Sequence, residues 1–442
     1  MTSSRPYWNP ERETLSSSEL RALQDEKIRR TVSAAYHNAP IIRQLWDDAG
    51  VEPGDVTSVE ELEQAPIFRK DDTRQRMIDT GEPFGGRLSR PFSELAEDGA
   101  FVGTSSGTTG TPTNVVLSDR DRDVAAECEA RSLWEMGLRP GDTFVSWILP
   151  NHLSSITWTD AAQKIGAVST KINHSPHEVR RAVHVLRYLE PTVVKMISSP
   201  IVDAMNAYFE ENDLDPKEVW GPVKSVGFGG EPLLDESRRA IEDAWDVEVF
   251  EFSGGLEPFW FPTETGDHGR WLQIADDHFY VEALDPDTGA RVEEGRGELV
   301  VTPLSYDGMA HVRWAHDDIV EITRGEFDDG RSGTRIKFLG RVGDLVRVDG
   351  KELLPYDVLS HVNDIEQMPR NLFQFYTSSE AELRLKVGYD ADATADTDAF
   401  VRDLETSLQE RLDVPVTVVD LVAEETLLEL GPEHKIPRVT EE

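Results

Sequence analysis

The chain is 442 residues long and carries 84 acidic against 45 basic residues, a net charge of −39. That balance makes nucleic acid and anionic membranes poor partners. No apolar run approaches the roughly 18 residues that span a bilayer, and the single cysteine, Cys128, excludes an internal disulfide and fits a reducing cytoplasm.

At this length the chain suits two domains. Residues 15–50 read as helices, with Leu20, Leu23 and Ile28 at helical spacing. Two short β-prone pieces, 100–103 and 114–117, flank a run of Ser, Thr and Gly. From 143 onward strands and helices alternate. Strands are predicted at 144–149, 167–172, 192–197, 223–228 and 247–252, with helices at 155–165, 176–189, 200–211 and 235–245. Repeated βα units imply a mostly parallel sheet covered by helices. Between 279 and 339 the pattern becomes short strands broken by Gly- and Asp-rich turns, a β-rich subdomain. The last 100 or so residues mix strands (372–376, 383–387, 414–419) with a long helix (396–412), which suits a small α+β domain. The fold class is therefore α/β, with a large N-terminal domain at 1–340 and a small α+β C-terminal domain at 345–442.

The run Thr104-Ser105-Ser106-Gly107-Thr108-Thr109-Gly110-Thr111-Pro112-Thr113 is the most informative stretch. Its glycines let backbone N–H groups approach a ligand, and successive N–H groups and hydroxyls form a nest for anions. It reads as a phosphate-gripping loop; a flexible linker is the alternative. It is not a Walker A loop, because Thr111 stands where that motif needs Lys. Gly229-Gly230-Glu231-Pro232 lies between a predicted strand and helix, the kind of sheet edge where such folds bind nucleotides, or an ordinary turn. His311 and His316 are too isolated to argue for a metal site.

These segments resemble the adenylate-forming superfamily of acyl-CoA ligases, luciferases and peptide-synthetase adenylation domains, and within it the phenylacetate-CoA ligase branch. Tyr7-Trp8-Asn9-Pro10-Glu11, Lys70-Asp71-Asp72, Phe279-Tyr280-Val281-Glu282 and Asp285-Pro286-Asp287-Thr288-Gly289 are similar to that branch too. The resemblance implies ATP-dependent activation of a carboxylic acid, aromatic or arylacetic, followed by transfer to CoA. It implies ATP, Mg²⁺ and CoA as cofactors or co-substrates. It also assigns roles. Thr104 to Gly110 would hold phosphate, and Gly229, Gly230, Glu231 and Pro232 would line the adenine slot.

Glu251-Phe252-Ser253-Gly254-Gly255-Leu256-Glu257 aligns with the family's Tyr-Gly-x-Ser/Thr-Glu, so that Glu257 would hold Mg²⁺; a solvated surface acid is the alternative. Ser253 replaces the tyrosine that stacks on adenine, Leu256 replaces the hydroxyl residue, and Phe252 supplies the aromatic face if the register shifts by one. Asp318 would accept from both ribose hydroxyls, with Asp317 where glycine is usual. Gly340-Arg341-Val342-Gly343-Asp344 resembles the family's hinge, which implies a hinge at 341–344 and a mobile C-terminal domain at 345–442. Arg341 would contact ribose or phosphate, with Gly343 in place of the hinge acid and suited to a large rotation. Lys351 would serve the second half-reaction. Lys435, in Glu433-His434-Lys435-Ile436-Pro437-Arg438, would bridge carboxylate and α-phosphate; a solvated terminal lysine is the alternative. His152, Ile156, Trp158, Gly254 and Gly255 would line the acyl pocket, with a core role for Trp158 equally open.

The departures keep two other readings alive: a non-CoA acceptor (an amine, a carrier protein or a deazaflavin nucleotide), and a nucleotide-binding protein without catalysis. Only 11 lysines accompany 34 arginines. With the acid excess, that composition suits a halophilic, high-salt cytoplasm. Oligomeric state stays open, a homodimer being one option.

Overall fold

The computed structural model describes residues 6–104, 112–149, 152–266, 269–362, 365, 367–368, 371–377, 381–430 and 436–441. They fall into two compact units. One is drawn from 1–230, 241–316 and 320–337, the other from 231–240, 317–319 and 338–442.

The first unit opens with the helices Ser17–Asn38 and Pro40–Ala49. Ser16 and Glu19 form a capping box at the start of the first, satisfying two backbone donors that would otherwise lack partners. Ile28, Val32, Ile42 and Trp46 bury one face against Val312 and Trp314. A third long helix, Asp119–Glu135, is capped by Ser118 and Asp121 in the same way. Sequence periodicity did not single it out, because its buried face mixes Ala125, Ala126 and Ala130 with the polar Asp121, Glu129 and Ser132.

A five-stranded parallel sheet follows, in the order Val168–Ile172, Thr143–Trp147, Val193–Ile197, Ser225–Phe228, Glu248–Glu251. The five strands predicted between 144 and 252 are all present, each one or two residues shorter than predicted. Numbered along the chain, this order is 2-1-3-4-5. The chain therefore reverses direction across the sheet between Thr143–Trp147 and Val193–Ile197, and the carboxyl ends of those two strands flank the crevice where open α/β sheets bind ligands. The β-rich region forms a seven-stranded sheet in which Phe279–Leu284 and Gly295–Pro303 pair antiparallel.

In the second unit, Val416–Ala423, Leu383–Tyr389, Phe373–Tyr376 and Val439–Thr440 make a four-stranded sheet. The helices Pro355–Val362 and Thr397–Leu412 supply Val358, Leu404 and Leu408 to an apolar core with Phe373, Phe375 and Leu385. No described helix is long and apolar enough to cross a membrane.

Candidate active site

The Ser/Thr/Gly run sits in a hairpin. Phe101–Thr104 pairs antiparallel with Asn114–Leu117, and Thr104 faces Asn114. Ser105, Ser106, Gly107, Thr108, Thr109 and Gly110 lie outside the described residues. At the foot of the hairpin, Thr104 Oγ1 donates to Asn114 Oδ1 (3.2 Å), and Asn114 Nδ2 donates to the Pro83 carbonyl (2.7 Å).

A buried arginine ties that foot to Glu257. Arg87 is wholly inaccessible; one of its terminal nitrogens donates to the Asn114 carbonyl (2.9 Å) and the other to Glu257 Oε1 (2.9 Å). The second nitrogen also stands 3.2 Å from His311 Nε2. Burial, reinforced by the Arg87 charge, pushes the His311 imidazole down to about 3, so it is neutral and accepts from Arg87. Lys70, first residue of the helix Lys70–Thr80, places its ammonium 3.1 Å from Glu257 Oε2. Burial raises the Glu257 carboxyl, but Arg87 and then Lys70 outweigh it, and the group ends below its ordinary value. Glu257 is therefore a buried carboxylate, not a solvated surface acid. Beyond the Lys70 ammonium its Oε2 has no hydrogen-bond donor among the described residues, which leaves a lone pair for a second cation.

At the carboxyl edge of the parallel sheet, Phe252 is buried, and its ring stands 2.7 Å from where a Cβ on Gly229 would lie. Only glycine lets the ring press against that backbone. Phe252 thus supports Gly229 from the core side. Trp158 is fully buried and meets Phe252 edge to face, with centroids 5.6 Å apart. Lys195 lies between these rings, its ammonium 4.4 Å from the Phe252 centroid and 4.9 Å from that of Trp158. It donates to Glu129 and to Ser132 Oγ. Burial lowers the Lys195 amine and raises the Glu129 carboxyl.

Other predicted positions prove to be filled or engaged. Glu251 accepts from Arg270 Nε (2.8 Å) and from one terminal nitrogen (3.0 Å), a buried bidentate pair. A Cβ on Gly254 would meet the Trp260 carbonyl at 2.1 Å, and one on Gly255 would meet His316 Nε2 at 2.6 Å, so these glycines serve close packing. Ser253 donates its backbone N–H to the Pro262 carbonyl (3.2 Å). His152 and Ile156 are half-buried and a helical turn apart, and burial lowers the His152 imidazole. Pro150 and Asn151 lie outside the described residues.

In the second unit, Asp318 is half-buried with Oδ1 3.6 Å from Arg341 Nε, while the Arg341 side chain is 70% exposed. Asp317 has φ of +62°. That is a φ glycine adopts freely and Asp tolerates better than most residues, so Asp can take glycine's place there, within the strand Trp314–Glu326. Asp344, raised chiefly by burial, feels the charges of Arg341 and Arg438. Lys351 pairs with Asp413 (2.5 Å). Glu231 and Pro232 are half-buried ahead of the helix Asp235–Trp245. Lys435 lies outside the described residues; Arg438, just beyond it, donates to the Asn371 carbonyl (3.0 Å).

Three site residues were missed from the sequence: Lys70 as more than a resemblance, Arg87 and His311. Nothing local marks them. Their contacts join positions far apart in the chain, and only the resemblance of Lys70-Asp71-Asp72 drew any notice to Lys70.

No protein-family profile matches the chain. Among solved structures, the chain is similar over its full length to 2-hydroxyisobutyryl-CoA ligase in the postadenylation state with an acyl-AMP, covering 93% of that protein with a TM-score of 0.83 and 24% identity. MatB of Rhodopseudomonas palustris with ATP bound is similar over 74% of this chain and 67% of its own, with a TM-score of 0.55 and 18% identity. These likenesses establish the fold as that of the adenylate-forming CoA ligases. In sequence, the chain is 30% identical over 396 residues to the phenylacetate-coenzyme A ligase of Thermus thermophilus, covering 86% of this chain and 84% of the relative. It is also 30% identical over 366 residues to that of Pseudomonas putida, covering 80% and 78%. The chain belongs to the phenylacetate-coenzyme A ligase family of AMP-forming acid–thiol ligases.

Proposed function

We propose that the protein activates an aromatic or arylacetic acid with ATP and transfers the acyl group to CoA. The carboxylate attacks the α-phosphorus of ATP, giving acyl-AMP and releasing pyrophosphate. The CoA thiolate then attacks the acyl carbon, the bond to phosphate breaks, and AMP leaves. The observation that carries this reading is the Arg87 link. One buried guanidinium holds both the foot of the Ser/Thr/Gly hairpin and Glu257, the carboxylate that by resemblance would hold Mg²⁺. Such a link ties the hairpin foot at Asn114 to Glu257, which favours positioning over reorganisation during reaction.

Glu257 suits Mg²⁺ through Oε2, whose only charged neighbour among the described residues is the Lys70 ammonium. When bound, Mg²⁺ would offset triphosphate charge. Asp318 would take the ribose hydroxyls, Arg341 the ribose or phosphate, and Gly229 to Pro232 the adenine. Lys435 would steady the charge developing between carboxylate and α-phosphate. The 341–344 segment would be the hinge between half-reactions. The acid excess of 39 and the single cysteine support a reducing, salt-rich cytoplasm as its setting.

The test is Lys435→Ala assayed in two halves. Acid-dependent pyrophosphate release should disappear, while thioester formation from pre-made acyl-AMP should persist. Unchanged pyrophosphate release would remove Lys435 from the adenylation step.

A further inference from the structure

The strand Val193–Ile197 does not end regularly. Its pairing with Ser225–Phe228 slips between Lys195 and Ile197, and Met196 is the extra residue, with φ of +79°. A bulge of this kind re-aims side chains. A left-handed φ on a long side chain is a strained state that persists only where the surroundings impose it, and such residues cluster at functional sites.

The surroundings here are built. Lys195, the residue before, is drawn into the core by Glu129 and Ser132 and is enclosed by the rings of Trp158 and Phe252. That buried ion pair anchors one side of the bulge. Met196 is left half-buried, packed against the cluster that contains Trp158 and Phe252. Its Cε comes within 3.4 Å of the place a Cβ on Gly230 would occupy. The strand is also one of the two that flank the crevice where the sheet order reverses, and ligands of open α/β sheets bind at that end. A methionine there supplies an unbranched, polarizable wall that suits a flat ring.

We infer that Met196 is a specificity-determining residue that touches the apolar part of the acyl substrate, aimed there by the bulge that the Lys195–Glu129 pair anchors. The inference rests on the acid-activating reading above. It places Met196 on the acyl side and not the adenine side, because the side chain packs against the apolar cluster that holds Trp158 and Phe252, whereas Gly229 and Gly230 would offer backbone to the nucleotide.

The experiment is pyrophosphate release by wild type, Met196→Gly and Met196→Leu, with an unsubstituted arylacetic acid and a bulkier ring-substituted one. Glycine suits the φ of +79°, so Met196→Gly should fold with an unfolding midpoint no lower than wild type. Removing the side chain should raise the ratio of kcat/KM for the bulky acid over the parent by about tenfold or more. KM for ATP should stay within about twofold, as measured alongside. Met196→Leu keeps the bulk and should keep the wild-type ratio to within about threefold, well short of that change. An unchanged ratio in Met196→Gly, with or without a change in the KM for ATP, overturns the inference while leaving the ligase reading intact. A wild-type protein that releases no pyrophosphate with any acid overturns the reading, and this inference with it.

Discussion

The two units are held together by different physics. In the first, charges are buried in pairs. Arg87–Glu257, Lys195–Glu129, Arg270–Glu251 and Arg313–Glu282 all have both side chains at 6% exposure or less. In the second, the core is Val, Leu and Phe, and the pairs lie at the surface, as with Arg347–Glu352 and Lys351–Asp413. Buried pairs are weak sources of net stability but strongly directional, and breaking one strands a charge. The unit that carries Glu257 and the phosphate hairpin thus uses charge to fix geometry. The smaller unit relies on apolar packing, which tolerates rearrangement around it.

This contrast can be broken by substitution. Lys195→Met or Glu129→Gln alone should destabilise by about 3–5 kcal/mol, because each leaves a fully buried partner without its counter-charge. The double variant should lose much less than the sum, and a urea-unfolding cycle measures the difference. Additive losses would mean that the pair is not a coupled unit. Phe375→Ala, in the apolar core of the second unit, should cost about 3–5 kcal/mol through lost burial and a cavity, and no second substitution should rescue it as charge removal rescues the pair.

A third variant uses pH. Burial pushes the Asp276 carboxyl up to about 7 from an ordinary 3.8. Its folded value is raised, so its contribution is fully present below about pH 4 and is lost as pH rises through 7. Asp276→Asn should therefore gain on wild type between pH 4 and pH 8 by on the order of 2–4 kcal/mol, read from unfolding midpoints across that range. A constant difference would place the proton elsewhere. The smallest effect is expected at the surface: Arg347→Ala should change stability by less than about 1 kcal/mol, and less again in concentrated salt.

Much of the architecture was legible in the sequence. The alternating apolar runs of 143–252 announced the parallel sheet, because buried strands and amphipathic helices differ in period. The Ser/Thr/Gly run announced the hairpin through its composition. Hidden from the sequence were the contacts that make the site rigid. Arg87, Glu257 and His311 meet only in three dimensions, and no local period encodes an arginine whose partners lie 170 and 224 positions away. Phe252 was read as a ring for adenine; the missing Cβ of Gly229 lets it pack behind the backbone instead. Gly254 and Gly255 were read as room for a ring; the chain itself fills that room with Trp260 and His316. Small residues report that something comes close, not what it is.

The central claim is acid activation followed by thiol transfer. Pyrophosphate release should be measured with MgATP in concentrated KCl across aryl, arylacetic and fatty acids, with and without CoA. The account predicts release that depends on an aromatic acid, with AMP and an acyl thioester accumulating once CoA is added. Release indifferent to CoA would move the acyl group to another acceptor. No release with any acid, from a folded protein that still binds ATP, would contradict the account.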